Sequence, residues 1–136
     1  MTSLCDTNVL SELVKPKPNP RVLAWAESQE GFTVSAITVE EIHFGLSCRP
    51  SPRHAAWFDR FLADHCSVLP VDAAVARVAG ENRGRLQAGG RPRTQADMLI
   101  AATAKVAGIA LVTRNVADFV GCGIHVFNPW TDTLLR

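Results

Sequence analysis

Thr94-Gln95-Ala96-Asp97-Met98-Leu99-Ile100-Ala101-Ala102-Thr103-Ala104-Lys105 is the stretch on which the reading of this chain turns. The run predicts a helix whose first turn carries one acid, Asp97, and whose next charge is Lys105. Small or apolar residues surround most of its circumference, so the helix is buried rather than amphipathic. A carboxylate at the start of a buried helix lies near the protein interior, where it must be capped, paired or bound to a cation. Thr94 and Asp97 also fit a Ser/Thr-x-x-acid capping box, in which the acid serves the helix alone. Other acids directed to the same place would separate the two roles.

Working outward, the same alternation of short strand, acid or polar turn, and helix recurs. Leu4-Cys5 ends at Asp6-Thr7-Asn8, and Val9 to Val14 then reads as helix, stopped by Lys15-Pro16-Lys17-Pro18. A second helix is expected from Asn19 or Pro20 to about Glu27, a strand at Phe32–Ser35, and a helix from Thr38 to about Ser47. Ala55–His65 carries Trp57, Phe58, Phe61 and Leu62 at helical spacing. Ser67–Val71 reads as strand, Ala73–Gln87 as a helix capped by Asp72, and Gly108 as the end of the Thr94 helix. Ile109–Val112 and Ile124–Phe127 are the remaining strands, and Asn128-Pro129-Trp130 closes the domain. Residues 1–130 are expected as one α/β domain, with a mainly parallel sheet of about four or five short strands flanked by helices, and 131–136 as a tail.

The whole chain is 136 residues with a net charge of +1, 47% hydrophobic and 20% charged. That describes one globular domain with no global field to attract nucleic acid, so any such contact needs a local patch. Neither a leader nor a membrane span is expected. Cys5, Cys48, Cys66 and Cys122 lack zinc spacing and read as reduced thiols in the cytoplasm. No P-loop, Gly-x-Gly-x-x-Gly or Gly-x-Ser-x-Gly motif is present. His43, His54, His65 and His125 form no ligand or triad spacing.

In a parallel sheet, residues that follow strands or open the helices after them share one edge, where ligands bind. Asp6, Glu41, Asp97 and Asp118 all fall there. Glu41 is preferred to Glu40 because Gly45, one turn on, leaves room above it, whereas Glu40 faces Phe44. Each acid has a local alternative: Asp6 can cap the following helix, Thr38 and Glu41 can form a second capping box, and Asp118 can be a solvated turn residue. Four carboxylates at one edge repel one another, and Mg2+ or Mn2+ relieves that repulsion through hard oxygen ligands. Arg83, Arg85, Arg91 and Arg93 precede Asp97 and Arg114 precedes Asn115; they suit phosphate or, equally, a solvated surface.

At these residues the chain resembles the PIN-domain ribonucleases of the VapC toxin type, including the FitB-like members. The matching stretches are Leu4-Cys5-Asp6-Thr7-Asn8-Val9-Leu10-Ser11-Glu12, Ser35–Ile42, Ala96–Ala104, Thr113-Arg114-Asn115-Val116-Ala117-Asp118-Phe119 and Phe127-Asn128-Pro129-Trp130. The resemblance implies a metal-dependent endoribonuclease, the toxin of a toxin–antitoxin pair. Asp6, Glu41 and Asp97 would be its acidic triad and metal ligands. Some relatives place an acid where this chain has Asn115; others place it three residues on, so Asp118 is carried over as the fourth. Asn8, Thr113 and Asn115 would be supporting groups, and Arg91, Arg93 and Arg114 would meet the substrate. Water would attack phosphorus in single-stranded or loop RNA and the 3′-oxygen would leave. The implied partners are a VapB-like antitoxin, a second copy of the chain, and promoter DNA through the antitoxin only. A mainly non-catalytic corepressor is the principal alternative. An aspartyl phosphatase would need a second Asp where Asn8 stands.

Overall fold

The computed structural model describes residues 2–135. It folds as β1 (Ser3–Cys5), α1 (Thr7–Leu13), α2 (Pro20–Glu27), β2 (Phe32–Ser35), α3 (Ala36–Cys48), α4 (Pro52–His65), β3 (Cys66–Leu69), α5 (Ala73–Ala88), α6 (Gln95–Ala107) and β4 (Ala110–Val112). A 3₁₀ turn (Val116–Phe119), β5 (Val126–Asn128) and β6 (Thr133–Leu135) follow. The strand order is β3-β2-β1-β4-β5-β6. All neighbours run parallel except β5 and β6.

The sixth strand replaces the expected tail. Asp132, at φ 58°, reverses the chain, a conformation that Asp tolerates better than most residues. Leu135 then pairs with Val126 and Leu134 with Phe127. Leu135 packs against the core while Leu134 points outward, the two-residue period of a strand. Arg136, the last residue of the expected tail, lies outside the described residues.

Each central strand feeds two cores in the same way. Leu4 and Leu111 pack beneath α5 and α6 with Met98, Ile100, Ala101 and Ala104. Their neighbours Cys5 and Val112 face α1–α4 with Val9, Leu10, Val22, Val34 and Phe58. Helix α6 is buried through its middle, at Met98 and from Ile100 to Ala104, while its last turn, Lys105 to Ala107, is exposed. Truncating a fully buried residue such as Leu111 leaves a cavity costing about 2–5 kcal/mol.

Helix starts follow local capping. Asn19, Ser51, Asp72 and Thr94 accept from the first-turn amides of α2, α4, α5 and α6. Helix α3 begins earlier than expected because Ser35, not Thr38, caps it by accepting from Ile37 N at 3.0 Å. Gly108 ends α6 in the left-handed region at φ 70°. Strand β1 sits between β2 and β4, so the chain leaves it on both sides, and in such sheets ligands bind beyond the carboxyl ends at that point.

Candidate active site

Asp6 directly follows β1 and is 6% exposed. Its backbone amide continues the β1–β4 ladder to Val112 O at 2.9 Å. One carboxylate oxygen accepts from Thr7 N at 2.8 Å, so Asp6 does cap α1. The other accepts from Thr113 Oγ1 at 2.8 Å and from Asn8 Nδ2 at 3.3 Å. The local role therefore uses one oxygen and leaves the other in a network built by β4. Thr113, wholly buried, also accepts from Asn8 Nδ2 and Asn115 N, each at 3.1 Å. Asn8 Oδ1 accepts from Arg114 N at 3.3 Å. Thr113 and Asn8 thus both hydrogen-bond the Asp6 carboxylate, whereas Asn115 joins through its backbone amide.

Burial pushes the Asp6 carboxyl up to about 6. The Thr113 and Thr7 hydrogen bonds oppose that shift, and the nearby Asp97 and Glu41 charges add to it. Those influences place Asp97 and Glu41 each within electrostatic reach of Asp6.

Glu41 is half-buried on α3, while Glu40 is exposed. With Ser35 holding the cap, Glu41 is free of the helix terminus and accepts from Thr7 Oγ1 at 2.6 Å. Thr7 Oγ1 also lies 3.1 Å from the buried Thr38 Oγ1. Thr7 therefore touches two acids at once: its amide meets Asp6 and its hydroxyl meets Glu41. Its contacts lie 31 and 34 residues away; the only local hint is a hydroxyl residue directly after Asp6.

Asp97 sits in the first turn of α6 with its amide on Thr94 Oγ1 at 3.1 Å. Its carboxyl is half-buried. Burial raises its pKa and the neighbouring Asp118 adds to that, while the Thr94 hydroxyl and Arg93 oppose it. Asp118 stands exposed on the 3₁₀ turn. Neighbouring acids thus run from Glu41 through Asp6 and Asp97 to Asp118. No group of three or more acid, His or Cys side chains among the described residues closes into a ready-made metal cage. The donor set, carboxylate and hydroxyl oxygens, is of the chemical type that suits a hard divalent cation.

The arginines divide by engagement. Arg93 is half-buried and donates to Asp118 O (3.0 Å), Pro92 O (3.2 Å) and Ala117 O (3.5 Å). Arg114 is exposed beside Asn8, its guanidinium 5.4 Å from the Trp130 ring centre. Arg91 and Arg83 are exposed, and Arg85 bonds Asn82 and Gly121 O. Glu12 is a buried acid that composition did not single out. Burial pushes its carboxyl up, but the Asn19 amide, Lys15 and Arg114 outweigh that and hold it below the usual range. It braces the α1–α2 connection rather than the acid row.

The PIN domain model matches residues 3–119. The VapC ribonuclease Y4jK of Sinorhizobium fredii is 36% identical over 133 residues, covering 92% of this chain and 95% of that protein. The Toxin FitB of Neisseria gonorrhoeae is 36% identical over 137 residues, covering 95% and 99%. Among solved structures, FitAB bound to the IR36 DNA fragment superposes with a TM-score of 0.81 at 34% identity, covering 95% of this chain and 96% of that one. With the doubly covered parallel sheet and the acids at its carboxyl edge, these matches place the chain in the PIN-domain family, on its VapC and FitB branch.

Proposed function

We propose that this chain is the toxin of a toxin–antitoxin pair and acts in the cytoplasm as a Mg2+- or Mn2+-dependent endoribonuclease. The observation that carries this reading is the setting of Asp6. It is a buried carboxylate gripped by Thr7, Asn8 and Thr113, with Glu41 and Asp97 close enough to feel its charge. A structural cap needs one oxygen of Asp6; the second shell on the other oxygen is what a ligand position needs. The ribonuclease and toxin names of Y4jK and FitB support the same chemistry.

Asp6, Glu41, Asp97 and Asp118 would hold the cation. Bound there, Mg2+ or Mn2+ supplies activation of water and neutralises charge on the phosphodiester. The chain's own residues do the rest. Thr113 and Thr7 fix both oxygens of Asp6, and Thr7 turns Glu41 toward the same space. Asn8 links the Asp6 network to the backbone of the exposed Arg114, whose guanidinium lies over the half-buried Trp130 ring and would meet an RNA strand.

Purified, antitoxin-free protein incubated with transfer RNA tests this reading. Cleavage that requires Mg2+ or Mn2+, stops with EDTA and is lost in Asp97→Asn supports it. Well-folded protein that leaves several RNA classes intact in both metals overturns it.

A partner protein is part of the proposal, and the FitAB assembly on DNA supports it. A groove of about 930 Å³ opens beside α2, where Ser28, Gln29, Glu30 and Asp64 line it together with Trp25 and Phe32. On α4, Trp57 and Phe61 stack at 4.7 Å. The aromatic face of α4, not the more polar groove, suits the apolar side of an antitoxin helix, or else a second copy of the chain. Native mass spectrometry that finds only monomer with the cognate antitoxin present would remove both. The same assembly favours a second role, corepression of promoter DNA through the antitoxin; Asp97→Asn should preserve that role while abolishing cleavage.

A further inference from the structure

The segment that carries Asp118 is held from behind by donors of α5 and of the loop before α6. Its carbonyls point outward because the chain turns tightly there, through a 3₁₀ turn and then Gly121 at φ 85°. Arg85 Nη2 donates to Gly121 O at 2.7 Å and Asn82 Nδ2 to Cys122 O at 3.4 Å. Nearest the acids, Arg93 donates from Nε to Asp118 O at 3.0 Å and from Nη2 to Ala117 O at 3.5 Å. Its third nitrogen, Nη1, bonds Pro92 O at 3.2 Å, which steadies the guanidinium itself. On the other side, Phe119 is sunk into the α5–α6 core at 2% exposure. Asp118 is therefore fixed between a buried ring and a half-buried guanidinium although its own carboxylate is exposed.

An arginine that recruits phosphate keeps its fork open to solvent. Arg93 instead commits three of its five N–H donors, one from each nitrogen, to carbonyl oxygens. We propose that Arg93 is a positioning residue, holding the Ala117–Asp118 backbone so that the Asp118 carboxylate stays opposite Asp97. The inference rests on the nuclease reading given above. Arg93 acts on the acids, through the Asp118 backbone and with its charge near Asp97, not on the RNA.

The test compares Arg93→Met, Asp118→Asn, the double variant and Arg85→Met, which loosens the same loop farther from Asp118. Mn2+ affinity is measured by calorimetry without RNA, kcat and KM on transfer RNA, and the thermal midpoint without metal. Loss of an outer-shell partner costs about 10- to 100-fold in affinity or activity. Arg93→Met is expected near the lower end of that range in both Mn2+ affinity and kcat, with KM unchanged. The double variant should be no worse than Asp118→Asn alone, because the two residues form one unit. Arg85→Met should lower the thermal midpoint and leave Mn2+ affinity as it was. Should Arg93→Met not fold, Arg93→Lys, which keeps the charge but cannot fork two carbonyls, should show the same losses in smaller measure.

Additive losses with a raised KM would mean that Arg93 touches RNA, and the inference falls. Mn2+ affinity that is unchanged in Arg93→Met, or weakened equally in Arg85→Met, also overturns it. If the wild type binds Mn2+ and cleaves while Arg93→Met matches it, only the positioning role is lost. If the wild type does neither, the nuclease reading falls too.

Discussion

The acid row has two halves held by different means. At one end, Asp6 and Glu41 are gripped on the carboxylates themselves, by Thr7, Asn8 and Thr113, at distances from 2.6 to 3.3 Å. At the other, Asp97 and Asp118 are held mainly through their backbones, by the Thr94 cap and the Arg93 fork. In the first half Asp6 is buried and Glu41 half-buried; in the second Asp97 is half-buried and Asp118 exposed. Burial has a cost in the first half, because it works to protonate the Asp6 carboxylate.

The largest effects should separate the halves by activity. Asp6→Asn is expected to lower RNA cleavage by more than about a hundredfold, beyond the usual loss of an outer-shell partner. Asp118→Asn should cost less, because its exposed position lets water stand in. Equal losses in a single-turnover assay would erase the distinction.

Stability against pH probes the cost of burial. The ordinary carboxyl value of Asp6 is 3.8 and the folded value is about 6. Between those values the folded state binds the extra proton, so stability falls as pH rises through the window. The loss is about 3 kcal/mol above pH 6, at about 1.4 kcal/mol per unit. In EDTA, urea unfolding from pH 4 to 7.5 should show the wild type losing about that much more stability than Asp6→Asn. Parallel pH profiles would show that Asp6 carries no such burden. Added Mn2+ should stabilise the wild type at pH 7.5 and leave Asp6→Asn almost unaffected.

Thr7→Val tests the grip on Glu41. Removing the hydroxyl while keeping the Thr7 amide on Asp6 should reduce kcat about tenfold and cost roughly 1 kcal/mol of stability. An unchanged kcat would mean that Glu41 finds its place without Thr7. The smallest effect is expected at Glu40, exposed on the same helix. Glu40→Gln should stay within about twofold of wild type, inside the scatter of surface substitutions, whereas Glu41→Gln should not; a reversed order would move the third acid to Glu40.

How much of this was legible in the sequence varied with the range of the interaction. Periodicity and caps are properties of neighbouring residues, so the buried α6, the Thr94 and Asp72 caps, the Gly108 stop and the strand–acid–helix alternation could be read directly. The α/β class and the shared edge of Asp6, Glu41, Asp97 and Asp118 followed from that alternation. Where two local caps competed, the sequence was ambiguous. Thr38 and Glu41 fit a capping box, but Ser35 took the α3 terminus. Glu41 was thereby left for Thr7.

Only tertiary structure could decide the contacts that give the acids their character. Thr113 reaches Asp6 across 107 residues because β4 pairs beside β1. Thr7 meets Glu41 because α1 packs near α3. Arg93 serves the Asp118 backbone because α5, α6 and the 3₁₀ turn share one core. The last strand formed because β5 offered an unpaired edge to Leu134 and Leu135. Residue identity and spacing determined what each element is and which chemistry it carries. Strand order and helix packing determined which distant hydroxyl or guanidinium meets it, since hydrogen bonds depend on distances in space that local pattern does not encode.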